Sequence, residues 1–366
     1  MILRPASNPF PRPHLIPSFR WMLSIFLLSA PLMAPAQQDV RFGVLGLFHP
    51  HELQLEQAGA QVLTVVANTP VHSPLFVLSG DPGHRQLLFR AEGDRVHIGS
   101  FSAGSWVATS RDGSPVLLRL TVPGKFHRDY LARLVITARK GELVAVVGMN
   151  IETAVASIVA AEMEESAPIE ALKAQAVVTR SFLAASVRHQ DFDFCDTTHC
   201  QFLKSPPPAT SRVASAVLTT QDLVIGYGGK PLAAMYSSRC GGHTRGLHDV
   251  GMQTAGDDYP YYGVLCAWCR RHPVVWHSQV DKSNRAPEPQ NEQERISAAR
   301  QWGWGAIPGS DFTASHDGSG WLLEGHSVGH GVGMCQHGAI GMAQSGVNFR
   351  EILALYYPNT NLISLR

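Results

Sequence analysis

The sequence predicts an α+β protein, a β-rich N-terminal region followed by a mixed α+β domain that carries the chemistry. Three observations point there. Short apolar runs broken by Gly, Pro and Asp fill Val40 to about Gly148. Helical periodicity begins only after Asn150, and strand and helix signals then alternate to the C-terminus.

Residues 1–36 read as a secretory signal. Arg4, Arg12 and Arg20 stand with no acid before Asp39, and the apolar run "WMLSIFLLSAPLM" leads to Ala34-Pro35-Ala36, with cleavage expected after Ala36. That run is shorter than the ~20 residues that cross a bilayer. An uncleaved N-terminal anchor is the rival reading, and no membrane span is expected in the mature chain. The expected location is therefore outside the cytoplasm, periplasmic or extracellular.

"VRFGVLGLF", "AQVLTVVANT", "SPLFVLSG", "RQLLFRAEG" and "PVLLRLTV" follow as strands. In "ARLVITARKGELVAVVG", Leu134, Ile136 and Ala138 alternate with Arg133, Thr137 and Arg139, and Lys140-Gly141 supplies a hairpin turn. Asn150 caps a helix starting at Ile151, and a second helix starts near Pro168, with Ile169, Leu172 and Ala176 as its apolar stripe. "SPPPATS" is a loop by composition, and strands return at "AVLTT" and "LAAMYSS". Asn348 with Glu351 marks a last helix, "ILALYY", stopped by Pro358. The expected division is 1–36 signal, 37–124 β-rich region and 125–366 catalytic domain.

The chain has 366 residues, a formal net charge of +1 and six cysteines. Taking away the three leader arginines leaves −2, which is not the footprint of a nucleic-acid binder. All six cysteines follow the leader, and an even count in an exported chain permits three disulfides without requiring them.

The segment "IETAVASIVAAEMEESAPIEALKAQAVVTR" holds four clustered carboxylates, Glu162, Glu164, Glu165 and Glu170. At about 100° per residue, Ile151, Val155, Ile158 and Val159 define one stripe, and Glu162 alone places an acid near its middle. Apolar surroundings disfavour the charged carboxylate and raise its pKa, as a general acid requires. The plain alternative is a helix-end glutamate that reaches solvent or pairs with Lys173 or Arg180.

Four segments in order carry a family resemblance: "AAEMEESAPIEALKAQAVVTRSF", "CDTTHCQF", "YSSRCGGHT" and "GHSVGHGVGMCQHGAIGMAQSGVNFREILALYYPNT". Together they resemble the SpoIID/LytB family, over about two thirds of the chain. The resemblance implies a lytic transglycosylase of peptidoglycan glycan, cell-wall associated, with Glu162 at the position of the catalytic glutamate. The substrate's own 6-hydroxyl serves as nucleophile, so no second carboxylate and no cofactor is required for the chemistry, unlike ordinary glycosidases. Glu164 and Glu165 depart from the family pattern, and like charges there would raise the pKa of Glu162 further. His330, Gln336, Ser237 and Ser238 are implied as glycan contacts. Asp196, Thr197, Thr198 and Gln201 are read as a cleft wall rather than as self-satisfied turn residues, and Lys173 and Arg180 are counted with the contacts.

His189, Cys195, His199 and Cys200 suit a structural zinc, since four protein ligands leave no open position for water; some relatives bind zinc at this segment. Two rivals stand beside it: a disulfide among Cys195, Cys200 and Cys240, and a role for "CAWC", Cys266 and Cys269, in a metal site or a disulfide of its own. "GHGVGMCQHG" is no dinucleotide fingerprint, because no βαβ unit surrounds it. "HSVGH" lacks the glutamate of a zinc-protease helix, and Cys335, flanked by apolar residues, reads as packing rather than as a nucleophile paired with His330 or His337. The expected partners are glycan strands and, in an alternative reading as a non-catalytic wall-binding module, a cell-wall amidase. Hydrolysis by water with help from Asp196 is a third reading.

Overall fold

Strict alternation builds the N-terminal half, as in Val116–Val122, where every second side chain is buried. The computed structural model describes residues 39–68, 74–79, 86–197, 199–252, 258–281, 289 and 291–366. The expected signal segment and Thr198 lie outside them.

The strands run β1 (Asp39–Val44), β2 (Glu52–Gln57), β3 (Leu63–Ala67), β4 (Leu75–Leu78), β5 (Gln86–Glu92), β6 (Arg95–Ile98), β7 (Phe101–Ala103), β8 (Ser105–Ser110), β9 (Val116–Val122), β10 (Phe126–Arg139) and β11 (Glu142–Asn150). With β12 (Phe194–Cys195) they make one twelve-stranded sheet, ordered β12-β1-β11-β10-β9-β2-β5-β6-β7, with β8, β3 and β4 branching off at β10. β10 is the spine: β9 lies along its first half, β8 and β11 along its second. The residues on the two sides of position 125 therefore share one hydrogen-bonded sheet. Lys140 and Gly141, at φ 53° and 82°, make the tight turn between β10 and β11 that the sequence predicts.

α1 (Ile151–Glu162) starts where Asn150 accepts a hydrogen bond from the Glu152 N–H at 2.8 Å. Ile151, Val155, Ile158 and Val159 are all buried in the sheet's core, and the helix persists to Glu162. α2 (Ile169–Ala185), with Pro168 at its N-cap, is buried on both faces. Leu172 and Ala176 join the sheet's core, while Ala174, Val177 and Val178 join a second core built by the C-terminal elements.

Two segments differ from expectation. "AVLTT" is not a strand; it completes α3 (Arg212–Thr219), capped by Ser211. Val213, Ala216 and Val217 are buried at helical spacing, and the strand reading began too late to include Val213. "LAAMYSS" is mostly irregular. After β13 (Leu223–Tyr227) and β14 (Lys230–Pro231), only β15 (Tyr236–Ser237) and then β16 (Arg239–Cys240) are extended. Their partners lie far along the chain.

Those partners follow α4 (Ala267–Arg271). β17 (Trp276–Asp281), α5 (Glu292–Trp302), β18 (Phe312–His316) and β19 (Gly320–Gly325) close a small core of Val280, Ala299, Ile307 and Leu323. β20 (Ser327–Val328) pairs antiparallel with β16, and β21 (Met334–Cys335) runs parallel to β15. α6 (Gln336–Gln344) and α7 (Phe349–Tyr356) follow, the latter with the full capping box expected from Asn348 and Glu351, and β22 (Asn361–Ser364) pairs with β13. Among the described residues no helix is long and apolar enough to cross a membrane.

Candidate active site

Glu162 is the last residue of α1, half-buried between α2 and the segments that carry β15 and β21. Burial raises its pKa, and hydrogen bonds from Gln336 and Tyr236 and the charge of Lys204 oppose that rise without cancelling it. Glu164 and Glu165 are exposed and turn away. Glu164 accepts from the Ser166 hydroxyl at 3.3 Å and Glu165 from the Arg212 N–H at 2.6 Å.

A polar chain holds the carboxyl. The Tyr236 hydroxyl lies against Glu162, with Gln201 Oε1 2.8 Å away on its other side. Burial lifts the Tyr236 pKa well above its ordinary value, so the phenol keeps its proton. On the other side Gln336 Nε2 donates to Gln175 Oε1 at 3.3 Å, and Gln175 Nε2 donates to Thr179 Oγ1 at 3.2 Å. Gln175 and Thr179 are fully buried on α2, so the amide of Gln336 is anchored from behind.

His330 meets the same strand. Its Nδ1 accepts from the Val332 N–H at 3.0 Å, and burial lowers its pKa against the pull of the Tyr236 carbonyl. The ring is thus neutral, with its proton on Nε2. Ser237 is buried with its hydroxyl unpaired, and Ser238 is exposed, its carbonyl accepting from the His337 N–H at 3.1 Å.

Gln201, Gln336 and His330 therefore gather around Glu162 or Tyr236. Other expected contacts do not. Arg180 is fully buried and forks onto Glu152 at 2.8 and 2.6 Å, with its remaining donors on the carbonyls of Leu223 and Val217. It bolts α2 to α1 and cannot meet a ligand. Lys173 pairs with Glu170 at 2.7 Å, and Glu170 also receives the Phe349 N–H, tying α2 to α7. Neither lysine nor arginine pairs with Glu162. Asp196 is buried, accepting from the Leu45 N–H at 3.2 Å and facing Arg128 at 3.4 Å, so it anchors the β12 segment to β1. Thr197 bonds Cys195 Sγ at 3.2 Å and belongs to the cysteine cluster.

Sequence reasoning missed Tyr236, Gln175 and Lys204. Tyr236 stood inside a segment read for its serines, and Gln175 was a polar residue on a helix buried all round, which was the available signal.

His189, Cys195, His199 and Cys200 do converge, their ligand atoms all within 4.8 Å of one another. His189 Nε2 lies 3.2 Å from Cys200 Sγ, and His199 Nδ1 lies 3.4 and 3.7 Å from Cys200 and Cys195. Tetrahedral zinc sets sulfur and nitrogen ligands about 3.5 Å apart, so the donor set fits that ion. All six cysteines are unbonded, which sets aside the disulfide readings. Cys240, Cys266, Cys269 and Cys335 form a separate buried group.

Residues 139–227 match the SpoIID family model, described as stage II sporulation protein. An uncharacterised protein of Brachyspira hyodysenteriae is 28% identical over 270 residues, covering 64% of this chain and 72% of its own. Stage II sporulation protein D of Bacillus subtilis is 24% identical over 266 residues, 60% of this chain and 76% of its own. The amidase enhancer of Bacillus subtilis is 42% identical over 52 residues, which is 14% of this chain and 7% of the enhancer. The matched stretch begins in the β10–β11 hairpin and runs through Glu162, Gln175 and the histidine–cysteine cluster to β13, so over that stretch the chain is similar to the SpoIID family.

Proposed function

We propose that this chain is an exported lytic transglycosylase of the bacterial cell wall, cleaving the glycan of peptidoglycan with Glu162 as its single general acid and base. The observation that carries the proposal is the Glu162 carboxyl itself, half-buried, raised in pKa and held between Tyr236 and Gln336. A protonated Glu162 donates to the glycosidic oxygen as the bond to the anomeric carbon breaks. The resulting carboxylate takes the proton of the muramic 6-hydroxyl as that oxygen attacks the same carbon, closing a 1,6-anhydro ring. Tyr236 and Gln336 keep the carboxyl oriented through both steps, and His330 lies beside Tyr236 as a wall of the cleft. His189, Cys195, His199 and Cys200 would hold a structural zinc that fixes the turn after β12, and no step passes through it.

A second reading has one observation in its favour, the short match to an amidase enhancer: a wall-binding module that stimulates an amidase without cleaving glycan itself. Product mass separates the two. Peptide-free glycan strands incubated with the protein are expected to yield anhydro-muramyl ends, lost in Glu162→Gln. Reducing ends that carry an added water would replace the lyase by a hydrolase, and intact glycan with the folded protein would leave the binding module.

A further inference from the structure

The six cysteines fall into two groups, and the second is as compact as the first. Cys240, Cys266, Cys269 and Cys335 are at most 4% exposed, and their four Sγ atoms all lie within 4.8 Å of one another. Cys269 and Cys335 are 3.6 Å apart. A disulfide needs about 2.05 Å, whereas a tetrahedral ion with bonds of about 2.3 Å sets its sulfurs about 3.8 Å apart. The spacing is that of thiolates around an ion.

The surroundings suit thiolates as well. Cys335 caps α6 and accepts from the Gly338 N–H at 3.3 Å, a helix start that favours negative sulfur. The Tyr356 hydroxyl reaches Cys266 Sγ at 3.3 Å. At Gly338 a Cβ would come within 2.6 Å of Cys266 Sγ, so the backbone of α6 is packed directly onto the sulfurs. Cys266 and Cys269 have the two-residue spacing of zinc knuckles, here at the start of α4. Four soft donors with no nitrogen or oxygen among them select zinc, or iron, over hard cations.

We propose that Cys240, Cys266, Cys269 and Cys335 bind one zinc ion as a structural tetrathiolate site, distinct from the histidine–cysteine cluster. Each thiol gives up its proton to solvent as its sulfur joins the metal, and no oxidant is needed. The ion joins three stretches of chain that meet nowhere in sequence, and two of them carry the partners of Glu162. Tyr236 lies in β15, which pairs with β21 at Ser237 and Cys335, and Cys240 follows in β16. Gln336 directly follows Cys335. The site thus clasps the two strands that place Tyr236 and Gln336 around the carboxyl. The role in positioning rests on the proposed function, but the metal site does not.

The test is metal per chain, measured by elemental mass spectrometry on protein expressed with zinc in the medium. With the first cluster disabled by Cys195→Ser and Cys200→Ser, one zinc per chain is expected to remain, and adding Cys269→Ser removes it. Cobalt in place of that zinc is expected to show the absorption of a four-sulfur tetrahedral site. No metal in the doubly substituted protein, or iron in place of zinc, overturns the proposal, as does an intact mass showing two disulfides. Should that protein fail to unfold cooperatively, wild-type protein decides instead: two zinc ions per chain are expected, and one or none overturns the site. Glycan cleavage enters none of these readouts, so the metal site and the lyase fail independently.

Discussion

Glu162 is an acid whose charge the fold disfavours, and on the proposed function it is also the working group. Its folded pKa is raised, so the proton it holds adds stability below the unfolded value, and that contribution is lost as pH rises through the folded one. Above it the buried charge is a cost. Glu162→Gln removes that cost, and thermal unfolding at about pH 8 is expected at the same or a higher Tm than wild type. Glycan cleavage by the same variant is expected to fall by about 10²–10⁴, the range for a general acid. On the proposed function, cleavage by the wild-type protein is expected to decline as pH climbs through the raised pKa, because the acid form is lost. Tyr236→Phe removes a hydrogen bond that holds this pKa down, so the basic limb of the pH profile is expected to move upward. A limb that stays in place would show that Tyr236 does not reach the carboxyl.

At the scale of elements, the pairing of α1 with α2 depends on Arg180. The guanidinium is 0% exposed and Glu152 only 16%, so neither group is well screened by water. Truncation to Arg180→Met leaves Glu152 and two carbonyls without their donor, and such losses cost about 3–5 kcal/mol. Urea unfolding is expected to show that loss, with part of it recovered when Glu152→Gln is added. α6 is set by close approach instead. Gly338→Ala drives a methyl group into Cys266 and Tyr356, and overpacking of this kind costs about 1–3 kcal/mol. Of the elements, α1 and α7 were legible because each carries a local cap and a 3.6-residue stripe, and α2 because Pro168 opens its stripe. α3 was misread because its stripe is short and begins at Val213, before the run that looked like a strand.

The whole molecule is held by β10, whose partners come from both directions along the chain. A chain starting at residue 125 would leave the β10 edges facing β8 and β9 bare. It is expected to lack cooperative unfolding by circular dichroism and to aggregate, whereas a stable, monomeric fragment would show that the sheet divides there.

The sequence by itself determined the α+β class, the hairpin, the caps and the place of Glu162 at the end of the apolar stripe of α1, because each is written in spacing along a few neighbouring residues. It also named the histidine–cysteine cluster, whose four ligands lie within twelve residues of chain, 189–200. Only the tertiary structure decided the rest. Arg180 and Asp196 carry charges that suit a glycan cleft, yet both are buried against partners far away in the chain, Glu152 and Arg128. Tyr236 and Gln336 meet Glu162, and four cysteines from three segments meet one another, through two-residue strands too short to leave a pattern. Such contacts are selected by the packing of the second core, and no local periodicity records them.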